Sequence, residues 1–200
     1  MPYKYTRSRH LSLEELNEIL EKTPQEWLKA LTILLYYSGM RISEALNLKR
    51  EDITLTPDEI IIKVETLKRR RSIGPYMPER IIPLPRNLPF INILARYLEN
   101  AVNGKLWNYS RKTVWLYMKR IKKDISPHLF RHDRLYMLSM NPEITPFDLR
   151  DWAGWSDLRP AENYIQISGQ RTRRISKILN VIEQRKIWHE EKEKLDSEGN

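Results

Sequence analysis

The chain has 200 residues, 40% of them apolar and 30% charged, which is enough for one sizeable core and too few for two. It has no cysteine, so disulfide scaffolds, thiolate metal sites and cysteine nucleophiles are excluded. Its formal charge is +9, and nine basic residues stand against two acidic ones between positions 105 and 135. Because clustered Lys and Arg attract phosphates, this distribution indicates a polyanionic partner.

The sequence does not indicate insertion into a membrane. Its basic first residues are not followed by an apolar stretch, and the longest apolar run, at positions 30–37, is far shorter than a membrane span. We expect a cytoplasmic protein, associated with the nucleoid if its source is prokaryotic or viral. We also expect an N-terminal arm over residues 1–11, one folded domain over residues 12–189, and a charged, disordered tail over residues 190–200.

The first part of the chain is predicted to be helical. Ser12 and Glu15 form a capping-box pattern before apolar residues at helical spacing, so a first helix is expected to run to about Thr23. Pro24 is expected in the first turn of a second, strongly apolar helix. That helix is expected to stop at Gly39, a residue type typical of helix ends.

The middle of the chain changes to the two-residue period of β-strands. Short strands are predicted at positions 53–55, 60–64 and 80–84, and the connection between the last two is long and basic. The remaining helices are predicted at positions 43–48, 90–100, 111–123, 128–140, 146–153, 159–167 and 171–193. The apolar stripe of the last helix either packs on its own domain or docks into a neighbouring protomer. The sequence therefore predicts an α+β fold, predominantly α-helical, with a small antiparallel three-stranded sheet.

Two arginines are candidates for binding a phosphodiester. Cleaving that bond without a metal requires positive charge near the non-bridging oxygens, a nucleophile, and a proton for the leaving oxygen. Arginine is suited to the first task because its guanidinium stays charged and binds phosphate with two N–H groups. Arg41 follows a glycine-terminated helix, and Arg131 lies one helical turn after His128. Glu44, about one turn after Arg41, is expected to hold the Arg41 guanidinium in place without contacting the phosphate itself.

Two histidines on one predicted helix are candidates for proton transfer. His128 follows a proline at the helix start, where the helix dipole disfavours the protonated ring and keeps it able to exchange protons. His132, one turn later, is either a supporting residue of the site or a buried hydrogen-bonding group. A metal bound by the two rings is not predicted, because Arg131 lies between them and the acidic residue of zinc-protease helices is missing.

Three motifs occur in order along the chain: Ser38-Gly39-Met40-Arg41-Ile42-Ser43-Glu44-Ala45-Leu46, then His128-Leu129-Phe130-Arg131-His132, then Ala153-Gly154-Trp155-Ser156 with Tyr164 ten residues after the glycine. In this order and spacing they resemble the conserved boxes of the tyrosine recombinases, the phage integrase family. The resemblance extends from Ser12 to about Ile182. It implies the integrase-like catalytic domain fold, and an enzyme that needs no cofactor.

The resemblance implies a role for each matching residue. Tyr164 is the implied nucleophile, which attacks the DNA phosphorus, forms a 3′-phosphotyrosyl link and frees a 5′-hydroxyl. Arg41 and Arg131 are implied to stabilise the transition state, and His128 to act as general base or proton relay. Lys68, in the hairpin after the second strand, is implied to protonate the leaving 5′-oxygen.

Three further positions differ from the family pattern or leave a choice open. Trp155 stands where histidine is usual, and its indole N–H can donate to a phosphate oxygen but cannot exchange protons. Lys63 is the alternative to Lys68, because the loop that follows Lys68 is longer than usual. Asp133 stands where a small or hydroxyl residue is common, and the sequence assigns it no role.

The implied partner is double-stranded DNA, bound by a homo-tetramer on two sites, with a monomer in isolation as the alternative. The basic residues expected to contact this DNA are Arg69, Arg70, Arg71, Arg111, Lys112, Lys119, Lys122 and Lys123. The expected function is site-specific recombination or integration without metal or ATP. Its alternatives are a type IB topoisomerase-like relaxation of DNA and a non-catalytic, recombinase-derived DNA-binding regulator. Family members usually carry a further N-terminal clamp domain, so we expect either an excised catalytic domain or a short member.

Overall fold

The computed structural model describes residues 10–65 and 79–168. Several predicted features lie outside these ranges: the arm before His10, the residues Lys68, Arg69, Arg70 and Arg71, the last predicted helix, and the charged tail. In the described ranges, no helix combines the length and the apolar character needed to cross a bilayer.

Helices α1, α5, α6 and α7 begin where the sequence provides a side-chain cap. Ser12 Oγ accepts a hydrogen bond from Glu15 N at 3.2 Å, and Ser126 Oγ accepts one from Leu129 N at the same distance. Thr145 and Asp148 form a reciprocal capping box. The helices are α1 Leu13–Glu21, α2 Glu26–Ser38, α3 Ile42–Asn47, α4 Ile91–Glu99, α5 Arg111–Ile121, α6 Pro127–Ser139, α7 Pro146–Ala153 and α8 Arg159–Ser168.

Pro24 was expected in the first turn of α2, and this prediction is wrong. Helix α2 begins at Glu26, with Gln25 as its extended N-cap, so Pro24 precedes the helix. Helix α1 ends at Glu21, and Thr23 Oγ donates to Ile19 O at 2.7 Å just after it. Because proline disfavours the helical conformation of the residue before it, Pro24 separates the two helices.

The sheet is an antiparallel meander of β1 Ile53–Leu55, β2 Glu59–Glu65 and β3 Glu79–Pro85, in the order β1-β2-β3. In its register Ile62 pairs with both Ile53 and Ile82. Alternate residues of β2 and β3 point inward and are buried, as the two-residue period requires. The predicted fold class, mainly helical with a small three-stranded antiparallel sheet, is confirmed.

Helix α2 lies at the centre of the core, and residues 31–40 are all buried. It packs against α4 and α6, while the inward face of the sheet completes the same cluster. A second, smaller cluster joins α6, α7 and α8 through Leu135, Leu149 and Ile165. Helix α6 therefore lies between the two clusters, and it carries the second predicted motif.

Candidate active site

Arg41 lies at the junction of α2 and α3. Helix α2 ends at Gly39, whose φ of 61° is left-handed and whose N–H donates to Leu35 O at 3.0 Å. A Cβ on Gly39 would lie 3.0 Å from Arg134 Cγ, so the position favours glycine in both conformation and space. The turn makes Arg41 the N-cap of α3, with 21% of its side chain exposed. The predicted phosphate-binding arginine is therefore largely enclosed by neighbouring elements.

Glu44 is buried behind Arg41 and binds it twice. Its Oε1 accepts from Arg41 Nη1 at 2.8 Å, and its Oε2 accepts from the Arg41 backbone N–H at 2.9 Å. Arg80 Nη2 also donates to Oε2, at 2.8 Å. Burial alone raises the pKa of Glu44, but Arg80 and Arg41 together outweigh burial and hold this pKa below its ordinary value. One buried carboxylate thus orients two arginines.

The side chain of Arg131, near the start of α6, lies close to Arg41 and Glu44. It is 8% exposed, and its Nη1 donates to Gly39 O at 2.8 Å while its Nη2 donates to Ala153 O at 3.0 Å. Arg41 Nη1 approaches the same Ala153 O at 3.4 Å. Burial, and then the nearby charge of Arg41, lower the pKa of Arg131 to about 10, so it stays protonated at neutral pH. The two predicted arginines therefore meet at the end of α7.

Positive charge exceeds negative charge among the described side chains around Glu44. Among the described residues, the guanidiniums of Arg41, Arg80 and Arg131 lie around the single carboxylate of Glu44. Partly buried like charges repel one another in a medium that screens poorly, and a bound anion relieves that repulsion. Guanidinium groups bind phosphate oxygens with paired N–H donors. The cluster is therefore suited chemically to bind a phosphodiester.

Tyr164 lies beside these arginines on α8, in the second apolar cluster, and is 8% exposed. Its hydroxyl lies 2.6 Å from His132 Nδ1. Burial, and then the neighbouring His128, lower the pKa of His132, which favours the neutral ring. In the neutral tautomer that carries its proton on Nε2, Nδ1 accepts and the phenol donates to His132.

Trp155 lies between the arginines and the tyrosine. The guanidinium carbon of Arg131 is 5.6 Å from the centre of its ring, and the ring of Tyr164 stacks on it at 5.7 Å with a 24° tilt. Helix α7 ends at the left-handed Gly154, and Trp155 N donates back to Arg150 O at 3.0 Å, which fixes where the indole emerges.

His128, which the resemblance makes the general base, lies one turn before His132 on α6 and is exposed. The two imidazole rings are nearly parallel, with centres 6.4 Å apart. The structure thus places His132 in contact with Tyr164, and His128 next to His132 on the side open to solvent.

Asp133, to which the sequence assigned no role, contacts the first two described residues. It is 4% exposed, and its Oδ1 accepts from Leu11 N at 3.4 Å and lies 3.0 Å from His10 Nδ1. Tyr36 Oη, on α2, donates to Leu11 O at 3.3 Å. Asp133 therefore fastens the segment before α1 to the helix that carries Arg131 and His132.

Arg80 belongs to the site, although the sequence analysis did not select it. It is 7% exposed at the start of β3, where it pairs with Val64 in register. The signal was present in the alternation of the strand, since Arg80 has the same parity as the buried Ile82 and Leu84. A charged residue on the inward face of a strand needs a buried partner, and Glu44 is that partner.

The basic residues predicted to contact DNA lie on and after α5 where they are described. Arg111 and Lys112 are exposed in its first turn, and Lys123 is exposed just beyond its end. Lys119 Nζ lies 5.7 Å from the centre of the Trp115 ring, which is itself exposed. Arg111 and Lys112 at the start of α5 and Lys123 after its end are thus accessible to a partner.

Two other lysines are engaged by carboxylates. Lys122 Nζ lies 2.6 Å from Glu15 Oε1 and 3.3 Å from Glu18 Oε2, so it joins the end of α5 to α1. Lys63 Nζ lies 2.8 Å from Glu79 Oε2, on the outward face of the sheet. That face is opposite to the one that carries the arginine cluster, so its position does not support Lys63 as the alternative catalytic lysine.

Known proteins resemble this chain in sequence. The sequence model of the phage integrase family matches residues 7–171. A tyrosine recombinase of Thermosipho africanus is 29% identical over 175 residues, which cover 80% of this chain and 54% of that protein. The tyrosine recombinase XerA of Thermococcus kodakarensis is 24% identical over 91% of this chain and 67% of that protein. The chain thus spans about half to two-thirds of the length of these relatives.

Solved structures show the same fold. The post-cleavage complex of the XerH site-specific recombinase with palindromic difH substrate aligns with a TM-score of 0.62 at 19% identity, over 88% of this chain and 54% of that one. The crystal structure of XerA recombinase aligns with a TM-score of 0.58 at 20% identity, over 82% and 61%. The match of the family model over most of the sequence confirms the resemblance seen in the three motifs, and the chain belongs to the phage integrase family, the tyrosine recombinases.

Proposed function

We propose that this protein is a site-specific DNA recombinase that cleaves and rejoins DNA strands through a 3′-phosphotyrosyl intermediate. The observation that carries the proposal is the 2.6 Å contact of the Tyr164 hydroxyl with His132, beside two arginines that converge on Ala153 O. Relatives that align over most of this chain are named tyrosine recombinases, and XerH was solved with its difH DNA. The nucleophile, a proton acceptor and the phosphate-binding charges thus lie together.

In the proposed first step, Tyr164 Oη forms a bond to the DNA phosphorus and the bond from phosphorus to the 5′-oxygen breaks. The phenolic proton passes to His132 Nδ1, and His128, exposed beside it, relays that proton to solvent. Arg41 and Arg131 stabilise the negative charge that develops on the non-bridging oxygens. Lys68, which lies outside the described residues, is assigned by the resemblance to protonate the leaving 5′-oxygen.

Rejoining is the reverse reaction with a different strand. A 5′-hydroxyl attacks the phosphotyrosyl phosphorus and gives its proton back to Lys68, which lost one in the first step. The bond from phosphorus to Tyr164 Oη breaks, and that oxygen recovers a proton from His132, which is reprotonated from solvent through His128. The phosphodiester energy is kept in the covalent link, so the cycle requires neither ATP nor another energy source. Exchange between two duplexes breaks four strands, and each cleavage uses one tyrosine. We therefore infer that four copies act on two DNA sites. We also propose that the protein acts in the cytoplasm.

The test is covalent trapping of the protein on nicked, end-labelled duplexes that tile the DNA flanking its gene, with EDTA present. A nick beside the cleavage point lets the short 5′-hydroxyl fragment diffuse away and prevents rejoining. We expect the wild-type protein to give an adduct on a denaturing gel, and Tyr164→Phe to give none because it lacks the nucleophilic oxygen. Tyr136→Phe is the matched control, since Tyr136 packs against the same apolar cluster, and it should give the wild-type amount of adduct.

The outcomes separate the proposal from its alternatives. An adduct that persists in Tyr164→Phe, or its absence from the wild-type protein on every duplex it binds, contradicts the proposal and favours a DNA-binding regulator. Where the adduct forms, two duplex sites on one plasmid distinguish recombinant products from simple relaxation. Relaxation without recombinants would identify the topoisomerase-like activity instead.

A further inference from the structure

Arg80 is a buried cation on the inward, otherwise apolar face of the sheet. It lies at the start of β3, directly after the connection from β2 that contains Lys68 in the sequence. Its neighbours on the inward face, Val64 across the ladder and Ile82 along the strand, are apolar and fully buried. Taking an arginine out of water is costly unless its hydrogen bonds and charge are satisfied, so its partners determine its role.

Within residues 10–65 and 79–168, Arg80 has hydrogen-bond partners on two other elements. Arg80 Nη2 donates to Glu44 Oε2 at 2.8 Å, and Arg80 Nε donates to Trp152 O, in the last turn of α7, at 3.0 Å. Gly154, which follows α7, lies directly against the guanidinium, because a Cβ there would be 2.5 Å from Arg80 Nη1. Arg80 therefore bridges β3 to α3 and to the end of α7, where the peptide groups of the third motif begin.

Glu44 connects Arg80 to the arginine predicted to bind phosphate. Arg80 binds Oε2, while Arg41 binds Oε1 through its side chain and Oε2 through its backbone N–H. Without Arg80, the whole negative charge of the buried carboxylate would be left to Arg41. Arg41 would then be drawn towards Glu44 and away from a phosphate, and its guanidinium would lose charge available for the transition state.

We propose that Arg80 is a positioning residue of the strand-cleavage reaction, which acts through Glu44 to hold Arg41 in place and leave its charge available to the scissile phosphate. The inference rests on the proposed function and deepens it. Lysine cannot replace Arg80 fully, because a single ammonium cannot reproduce the separate directions in which Nε and Nη2 donate to Trp152 O and Glu44.

The experiment measures single-turnover cleavage at saturating protein, on the nicked duplex that traps the wild-type adduct. We expect Arg80→Met to slow adduct formation by roughly 10- to 100-fold, the range that follows a small displacement of a catalytic group. Arg80→Lys should recover only part of this loss. The matched control is Arg86→Met, which removes an arginine that follows the same strand and pairs with Glu99 near the surface, and it should cleave at the wild-type rate.

A second variant keeps the test valid if Arg80→Met folds poorly. In the double variant Glu44→Gln/Arg80→Met, position 44 no longer carries a charge, so the loss of Arg80 does not leave an unpaired carboxylate in the core. We therefore expect the double variant to fold. If Arg80 acts through Glu44, this double variant should cleave at about the rate of Glu44→Gln alone. A double variant that is much slower than Glu44→Gln would overturn the proposal.

The charge of the substrate gives a readout that a purely structural role would not alter. A methylphosphonate at the scissile position lacks the charged non-bridging oxygen, so it reduces the need for a correctly held Arg41. We expect the deficit of Arg80→Met relative to the wild-type protein to shrink on this substrate. An equal deficit on both substrates, or wild-type cleavage by Arg80→Met, would contradict the proposal. A wild-type protein that forms no adduct would instead contradict the proposed function itself.

Discussion

The hydrogen bond between Tyr164 and His132 links the reactive phenol to the protonation state of one imidazole ring. Nδ1 can accept from the phenol only when the ring is neutral. Burial, followed by the charge of His128, lowers the pKa of His132 and favours that neutral form. His132, for which the sequence left open a supporting role or a buried hydrogen-bonding role, thus lies next to Tyr164, the proposed nucleophile, and His128 lies one turn away.

This environment predicts how stability depends on pH. Because the pKa of His132 is lower in the folded protein than its ordinary 6.5, its contribution to stability is complete above about pH 6.5 and is lost as pH falls towards the folded pKa. We expect the melting temperature of the wild-type protein to fall more than that of His132→Gln between about pH 7.5 and pH 5.5. Thermal unfolding followed by circular dichroism checks this, and parallel curves for the two proteins would contradict it.

The end of α7 joins several elements of the site through its carbonyl groups. Its last carbonyls accept from three arginines: Trp152 O from Arg80, and Ala153 O from Arg131 and Arg41. The left-handed Gly154 makes this possible, because it ends the helix while leaving those carbonyls exposed to the guanidiniums. The carbonyl groups at the end of α7 therefore form one side of the site and bind its three arginines.

A substitution at that glycine tests how tightly the elements fit. Gly154→Ala places a side chain in a left-handed conformation and 2.5 Å from Arg80 Nη1, so we expect a loss of about 2–4 kcal/mol in the free energy of unfolding. Gly104→Ala is the matched control, since Gly104 also has a positive φ but a Cβ there meets nothing within 4 Å. Its cost should be about 1 kcal/mol, from the backbone alone. Urea unfolding measures both, and equal costs would mean that Arg80 moves aside freely.

Over the whole molecule, the excess positive charge is not equally available to a partner. Lys112 is exposed in the first turn of α5, whereas the ammonium of Lys122 is bound by Glu15 and Glu18 of α1. The hydrogen bond that Lys122 donates to Glu15, aided by the one to Glu18, raises the pKa of Lys122, so this lysine stays charged but is largely neutralised by its partners. Lys122 therefore counts as a full positive charge in the net charge of the protein, but its ammonium is less available than that of Lys112 to bind a phosphate.

This difference gives a prediction for DNA binding, within the proposed function. Lys112→Gln should reduce the slope of log affinity against log salt concentration by about 0.9 if the residue contacts one phosphate of duplex DNA. Lys122→Gln should change the slope less and instead lower the melting temperature, because it removes the link between α1 and α5. Fluorescence anisotropy with a labelled duplex over a salt series measures the slopes. Equal reductions in the two variants would contradict the assignment.

The sequence by itself determined the fold class, the family, and most element boundaries. Caps, glycine stops and residue periods act within a few residues, so Ser12, Gly39 and Gly154 mark their helix ends without knowledge of the rest of the fold. The motif residues could be named for the same reason, since their order and spacing are read along the chain. Pro24 was misplaced because a proline serves equally at a helix start and between two helices.

The local contact of Arg41 with Glu44 was expected from the sequence, whereas the contacts between distant residues depend on how the elements pack. Glu44, Asp133 and Tyr164 each have a hydrogen-bond partner far away in the sequence, at Arg80, Leu11 and His132, which are 36, 122 and 32 residues distant. Local patterns carry no information on such pairings, because a buried charge takes whichever partner the docking of distant elements brings within hydrogen-bond reach. For that reason the sequence identified the two phosphate-binding candidates, and the packing of β3 and α7 around Glu44 determined how they are held.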